Sequence, residues 1–210
     1  LLHGQSGESG TGERDVIRFA KYKHRNIDYM ALGHLHAYRE AELDERGVAC
    51  YSGCLEGRGF DECGQKGYIL LETENGRLRH RFIPFARRVM HEVPCDITGC
   101  GSQLELERRV SEAVGDIPPK DLVKTVLTGS RPAELLIDLP RTEQMLSQRF
   151  YFAKLADKTR LLIHPEDYSH DISLKGEFVR RVMASGLREQ EKERIIACGF
   201  RALGGEELDL

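Results

Sequence analysis

The sequence predicts an α/β fold, continued by a small α+β domain and a helical tail. Short apolar runs that end in Gly-rich loops indicate buried strands in the N-terminal part. An Asn-Gly pair at 75–76, between two strand-like runs, indicates a β-hairpin, because both residue types tolerate positive φ. Near Ala86 the pattern restarts, and two amphipathic helical stretches close the chain. We therefore expect three segments, at residues 1–86, 87–166 and 167–210.

The first segment is predicted to contain one helix and several strands. We expect the helix over residues 13–23, because the apolar residues Val16, Ile17, Phe19 and Ala20 fall on one side of it. The opening residues, through His3, are typical of the end of a buried strand. Further strands are predicted at residues 27–32, 48–51, 67–72 and 77–84. This order of elements is typical of one side of an α/β sandwich.

The later segments combine strands with helices. The α+β domain is predicted to contain, in order, a strand, a helix, a strand and a helix, at residues 88–93, 103–114, 122–127 and 142–149. Thr142 is the expected N-cap of the second helix. A strand pair is predicted over 150–155 and 159–164, joined through Asp157-Lys158. The tail is predicted to form two helices whose apolar stripes pack on the preceding domain or bind a partner, at residues 175–184 and 189–200.

Composition limits the classes of protein to which the chain can belong. Of 210 residues, 40% are hydrophobic and 31% are charged, which is typical of a folded domain and excludes a disordered chain. The formal net charge is -3, so nucleic-acid binding would depend on local basic patches. No apolar run reaches the length of a membrane span, and the start lacks the pattern of a secretory leader.

Two further features bear on the compartment and on completeness. The chain has six cysteines and no C-x-x-C pair, which favours free thiols in a cytoplasmic protein. The alternative is a structural zinc ion held by Cys50, Cys54 and Cys63. The chain opens at Leu1 instead of a methionine, and we expect it to be a fragment or a processed piece.

Three histidines are the strongest candidates for chemistry. His3 and the Gly33-His34-Leu35-His36 stretch each follow a short apolar run, so each would lie where a strand ends. Open α/β sheets place their ligand sites at such carboxyl ends. Neutral imidazole is a good ligand for Mn, Fe or Zn, and Gly33 permits a sharp turn that lets His34 and His36 diverge. The alternative is that the histidines are loop residues satisfied by the backbone.

Longer strings around these histidines resemble a known family. The run from Asp28 to His36 resembles the last metal-binding motif of calcineurin-like metallophosphoesterases, and Leu2-His3-Gly4 resembles the preceding histidine motif. The stretch from Tyr51 to Glu62, with Lys66-Gly67, is similar to the SbcD branch of DNA repair exonucleases. Residues 122–129 resemble the first long strand of that family's capping domain. The chain would thus hold the C-terminal half of a metallophosphoesterase β-sandwich flanked by helices, a capping domain and a tail.

The resemblance implies a site with two divalent metal ions, usually manganese. His3 and His34 would bind one ion and His36 the other. The family supplies the remaining ligands from D-x-H, G-D and G-N-H motifs that lie earlier in its chains, and this chain lacks them. The implied activity is hydrolysis of phosphodiester bonds at DNA ends during repair, with this chain inactive alone. The implied partners are DNA, an SMC-like ATPase of the SbcC type that binds beyond the cap, and a second copy in a homodimer.

Arginines are the candidates for contacts with phosphate. Arg58 lies in the Gly-rich loop after the histidine motif, so we expect it near the metal ions. Arg77, Arg79 and Arg81 alternate along one predicted strand and would share a face. That face is interpreted either as a surface that follows phosphates or as an ordinary solvated strand face.

Two other functions remain open at this point. The fold hosts many substrates, so the chain could belong to a metallophosphoesterase that acts on small phosphodiesters. Because half of the metal ligands are missing, it could also be a non-catalytic module that binds DNA or an ATPase.

Overall fold

The computed structural model describes residues 1–7 and 16–204. The chain separates into two compact units. One comprises Leu1–Glu92, Ile117–Lys124 and Ser147–Lys154, and the other comprises Val93–Asp116, Thr125–Leu146 and Leu155–Leu210. The predicted boundaries after residues 86 and 166 stay predictions. In the part described, none of the helices has the length and apolar character needed to cross a bilayer.

The first unit is built mainly from short strands. In chain order they are β1 (Leu2–His3), β2 (Gln5–Ser6), β3 (Val16–Ile17), β4 (Tyr29–Gly33), β5 (Arg39–Glu42), β6 (Val48–Tyr51), β7 (Gly67–Glu74) and β8 (Arg77–Pro84). One sheet has the order β1-β4-β6-β5, in which β4 is parallel to β1 and β6, and β5 is an antiparallel edge strand. The predicted strands at 27–32, 48–51 and 77–84 are confirmed.

The core of this unit follows from the alternation of side chains along β4 and β6. Met30 and Leu32 point to the same face of β4 and are buried, together with Ala49 and Tyr51 from β6. Leu43 and Ile17 complete this core, and Phe19 packs against it. These contacts remove apolar surface from water and hold the sheet together.

The predicted helix over residues 13–23 is wrong. Val16–Ile17 is strand β3, which pairs in parallel with β2, and Phe19–Lys21 is a single turn of 3-10 helix. Residues 13–15 lie outside the described residues. Ile17 and Phe19 do face the core, so the apolar residues were identified correctly. Apolar residues in a stretch this short fit both the helical period and the strand period. Pairing of Val16 and Ile17 with Gln5 and Ser6 favours the strand.

The β-hairpin is confirmed. Strands β7 and β8 pair in antiparallel register from Gly67↔Pro84 to Glu74↔Arg77. Asn75 (φ 51°) and Gly76 (φ 74°) form the two-residue connection, both in the left-handed region. This backbone matches the right-handed twist of the two strands.

The remaining elements lie beyond residue 89. They are β9 (Met90–Asp96), α1 (Gln103–Ala113), β10 (Leu122–Thr128), β11 (Ser130–Pro132), α2 (Leu139–Ser147), β12 (Phe152–Asp157), β13 (Arg160–Leu162), α3 (Leu174–Met183) and α4 (Glu189–Leu203). One sheet has the order β12-β10-β9, and β11 pairs with β13. The Ser102 side chain caps α1 by accepting a hydrogen bond from the Glu105 amide. Together with the first sheet, these elements confirm an α/β fold class.

Two details of this region differ from the prediction. Thr142 is not an N-cap, because α2 already begins at Leu139. Pro140 is tolerated in a first helical turn, and the Asp138 carboxylate accepts a hydrogen bond from the Arg141 amide. Thr142 is buried inside the helix, where its hydroxyl donates to the Asp138 carbonyl.

The predicted strand pair over 150–155 and 159–164 is also wrong. β12 lies in the sheet with β10, whereas β13 pairs in parallel with β11. The Asp157 carboxylate accepts hydrogen bonds from the amide and the hydroxyl of Thr159, which turns the chain locally. The Lys158 and Arg160 amides then donate to the Leu127 and Gly129 carbonyls, so the chain follows β10 into β11.

The two tail helices are confirmed, and they are packed. Val179 and Val182 from α3 and Ile196 and Phe200 from α4 form one buried cluster with Ala133. The partly buried Leu161, Ile163 and Tyr168 pack against it. The apolar stripes therefore contribute to the core of the second unit.

We expect Gly76→Ala to lower the free energy of unfolding by about 1 kcal/mol, because an L side chain is strained at its positive φ. Urea denaturation measures this change. Gly186→Ala is the matched control, since Gly186 has open space around its Cβ position and no positive φ. That variant should be neutral or slightly stabilised, by about 0.5 kcal/mol. Equal destabilisation in both variants would contradict the turn argument.

Candidate metal-binding site

The parallel pairing of β1 with β4 brings His3 beside the Gly33-His34 turn. In this register His3 lies opposite Gly33, so both strands end at the same edge of the sheet. The ring centroids of His3 and His34 are 5.5 Å apart, and their planes are nearly perpendicular. Both histidines are exposed to solvent. The structure therefore brings these two predicted ligands together.

The backbone at this turn has two special features. A Cβ atom at Gly33 would lie 2.9 Å from the Nδ1 atom of His3, so a side chain there would push the imidazole away. His34 has a φ of 117°, in the region that favours glycine. Such conformations cost roughly 1–3 kcal/mol and concentrate at functional sites. This backbone conformation at His34 turns the chain, and the His34 imidazole then lies beside His3.

The imidazole of His36 is held by a carboxylate. Its Nδ1 atom lies 2.5 Å from Oε1 of Glu62, whose side chain is only 10% exposed. Glu62 also accepts a hydrogen bond from the Arg58 amide at 3.0 Å. The hydrogen bond from His36, followed by those from Arg58, lowers the pKa of Glu62 to about 2. With Nδ1–H donated to an ionised carboxylate, Nε2 of His36 is the nitrogen left to act as a ligand.

Arg58 lies directly against His36. Its Nη2 atom is 3.0 Å from Nδ1 and 3.3 Å from Nε2 of the imidazole, and 3.3 Å from Oε1 of Glu62. The Arg58 side chain is 70% exposed, so its guanidinium is accessible to a ligand. The predicted proximity of Arg58 to the histidine motif is thus observed.

The backbone of His36 is fixed by residues whose role the sequence did not predict. The ammonium of Lys66, a residue only 4% exposed, donates to the His36 carbonyl at 3.0 Å. The Cys54 amide donates to the same carbonyl at 3.3 Å. Lys66 and Glu62 both lie in the string that carries the SbcD resemblance, and this was the only signal for them. Their contacts depend on the folding of the 52–66 loop back onto His36.

Part of this cluster lines an open groove of about 520 Å³, called the histidine groove below, and His3 and Arg58 lie outside its lining. Its lining includes His34, His36, Arg39, Asp61, Glu62 and Lys66. The groove contains the imidazoles of His34 and His36, two carboxylates and two cationic groups within one concave surface.

The donor set is chemically suitable for a metal ion but is incomplete. Imidazole nitrogens are good ligands for Mn, Fe and Zn. Within residues 1–7 and 16–204, however, no group of three or more His, Cys, Asp or Glu residues is arranged to hold a metal ion. These residues therefore do not form a complete metal site by themselves.

Two of the three hairpin arginines pair with glutamates of the facing strand. Arg79 lies 3.2 Å from Glu74, and Arg81 lies 3.6 Å from Glu72. The alternation that predicted a shared basic face is present, but the sequence did not show that acidic residues of β7 stand opposite. This arrangement favours the interpretation of an ordinary solvated strand face.

Comparison with known proteins supports the same chemistry. No family model matches the chain. The chain is similar to the uncharacterized metallophosphoesterase YhaO of Bacillus subtilis (strain 168), with 28% identity over 145 residues. The match supports the metallophosphoesterase superfamily. It covers 67% of this chain and 35% of YhaO, so the chain matches about a third of the length of that relative.

Metallophosphoesterases use divalent metal ions, and the superfamily therefore agrees with histidines clustered at strand ends. The roles of His3, His34, His36 and Arg58 stay predictions, because the comparison assigns no residue. Neither the metal nor the substrate follows from the match.

We expect Glu62→Ala to release the loop that carries Arg58, because the carboxylate holds both the Arg58 amide and His36. Hydrogen exchange of the Arg58 amide should accelerate by roughly three- to tenfold, as expected when a charge-assisted hydrogen bond is lost. Asp61→Ala is the control, since that exposed neighbour accepts no hydrogen bond from Arg58 within the described chain. Unchanged exchange in Glu62→Ala would refute the anchoring role.

Proposed function

We propose that this chain is part of a metal-dependent DNA exonuclease and supplies three of its metal ligands, His3, His34 and His36. The observation that carries the proposal is the register of β1 against β4, which places His3 beside His34 at the carboxyl ends of two parallel strands. Similarity to a metallophosphoesterase supports phosphoester hydrolysis. The choice of DNA rests on the SbcD-like string from Tyr51 to Lys66.

The proposal assigns the histidines as metal ligands and Arg58 as a contact to phosphate. His3 and His34 lie side by side and suit one ion, whereas Glu62 orients His36 toward a second position. Arg58, exposed and in contact with His36, suits a phosphate group of the substrate. In this proposal the histidines are ligands and not general bases.

Electrostatics explains why the chain would be inactive alone. Two-metal hydrolysis needs two divalent ions about 4 Å apart to hold the attacking and leaving oxygens. Neutral imidazoles carry no negative charge to offset the repulsion between two such ions. The carboxylate ligands of the D-x-H and G-D motifs would come from a segment outside this chain.

The remaining expectations belong to the same proposal. We propose manganese as the metal and DNA ends in repair as the substrate, in a cytoplasmic protein. An SMC-like ATPase of the SbcC type and a second copy of the enzyme are the proposed partners. The outer surface of the packed tail helices α3 and α4 is the proposed binding site for the ATPase.

A non-catalytic module is the second candidate. The incomplete donor set among the described residues favours it, since a relic site would retain histidines without two-metal chemistry. Measurements of metal binding and of nuclease activity distinguish the nuclease from the non-catalytic module. Rates of hydrolysis of DNA and of a small chromogenic diester distinguish a nuclease from an enzyme that acts on small phosphodiesters.

We expect the isolated chain to bind at most one Mn²⁺ ion, weakly, and to cleave no DNA. Isothermal titration calorimetry with MnCl₂ measures the stoichiometry. His34→Ala should abolish the binding signal, whereas His164→Ala, which removes a 55% exposed histidine of the second unit, should not change it. A saturable two-site curve for the isolated chain would contradict the argument from missing charge.

We expect Arg58→Ala to weaken binding of single-stranded DNA and to reduce the salt dependence of that binding. Loss of one phosphate contact lowers the slope of log K against log salt by about 0.7. Fluorescence anisotropy at several salt concentrations measures the slope. Arg79→Ala is the control, because it removes an arginine of similar exposure, 74% against 70%, that lies on β8 and contacts Glu74 instead of His36. An unchanged slope of log K against log salt in Arg58→Ala would contradict the assignment of Arg58 as a phosphate contact.

A further inference from the structure

A second groove lies on the first unit, next to the histidine groove. It has a volume of about 740 Å³ and is called the basic groove here. Three cationic residues line it: Arg18, Lys23 and Arg39. Glu42 is the one carboxylate among the described lining residues. Among the described lining residues positive charge is therefore in excess, although the chain as a whole is acidic.

The cations of the basic groove are available for a ligand. All three are exposed, and within the described ranges no carboxylate lies within ion-pair distance of them. The arginines of β8 differ, because Arg79 and Arg81 face glutamates across the hairpin. Clustered positive charge in a concave surface focuses the field and attracts anions.

The two grooves share one lining residue. Arg39 lines both the basic groove and the histidine groove. It opens the edge strand β5, where it stands opposite Tyr51 at the end of β6. A ligand with several phosphates that occupied both grooves would therefore pass the guanidinium of Arg39.

The lining of the basic groove also includes an aromatic residue. Phe19 lines the basic groove and packs against the core of the unit, which fixes its position. Grooves that bind single-stranded nucleic acid combine cations for the phosphates with aromatic surfaces on which bases stack. Free phosphate or a mononucleotide would need only one of the cations.

We propose that the basic groove binds the backbone of a single DNA strand whose terminal phosphodiester occupies the histidine groove. Arg18 and Lys23 each contact one phosphate, Arg39 contacts the phosphate at the junction, and Phe19 supports a base. This assignment rests on the proposed function, because it takes the histidine groove as the place where the strand is cleaved. It adds a substrate path and predicts a preference for strands long enough to reach Lys23.

The test compares oligothymidylates of different length on the intact 210-residue chain. Binding of a dinucleotide and of a longer oligothymidylate is measured by fluorescence anisotropy over a range of salt concentrations. In Arg18→Gln/Lys23→Gln, the slope of log K against log salt for the longer strand should fall by about 1.4, since each phosphate contact to a single strand contributes about 0.7. Dinucleotide binding should be unchanged, because a dinucleotide spans only the histidine groove.

Two further variants make the test specific. Lys21→Gln removes an exposed cation of the same 3-10 turn that does not line the groove, and its slope should equal that of the wild type. Glu42→Gln removes the carboxylate that repels phosphate, so it should tighten binding of the longer strand. Circular dichroism establishes that each variant is folded.

Three outcomes overturn the assignment. They are a slope unchanged in the double variant, an equal loss in Lys21→Gln, and no binding of any strand by the wild-type chain. Each leaves the proposed function to be judged separately. Arg58→Ala reports on the phosphate contact beside His36, and Mn²⁺ titration reports on the ligands, so failure of the basic groove is distinguishable from failure of the nuclease proposal.

Discussion

The parallel register between β1 and β4 is the constraint on which the site depends. With His3 opposite Gly33, both imidazoles are placed at one edge of the sheet. The Gly4 amide donates to the Gly33 carbonyl at 3.1 Å, and the buried Tyr51 hydroxyl donates to the Gly4 carbonyl at 2.8 Å. Hydrogen bonds of the buried Gly4 and Tyr51 thereby connect the ends of three adjacent strands, and buried hydrogen-bonding groups are costly to leave without a partner.

A second set of contacts positions His36, and it has a different physical basis. The first two histidines are placed by strand pairing, whereas His36 is placed by charge. Glu62 holds its imidazole, and the buried Lys66 ammonium holds its carbonyl. Burial of a charged lysine costs free energy unless the group is hydrogen-bonded, so the 52–66 loop is stable mainly when it is folded onto His36. Separate anchoring lets the two parts of the G-H-x-H motif face different positions.

The sequence predicted those features that depend on local pattern. Short apolar runs identified β4 and β6, Asn75-Gly76 identified the hairpin, and the position of His3 and His34 after such runs identified the edge of the sheet. It failed where distant partners decide the structure. Val16 and Ile17 form a strand because β2 lies beside them, and β13 leaves β12 because β11 is available to pair. Glu62 and Lys66 could not be assigned roles, since their partner His36 lies 26 and 30 residues away.

The same limit applies to charge. Arginines that alternate on β8 form a basic stripe in the sequence, yet the register of the hairpin sets Glu72 and Glu74 within reach of them. Arg18, Lys23 and Arg39 are scattered in the sequence, yet the fold gathers them around one groove. An anion responds to the field that remains after neighbouring charges have paired, and this field depends on which groups face each other. A basic surface is therefore defined by its unpaired cations and by the concavity that collects them, not by the spacing of arginines along the chain.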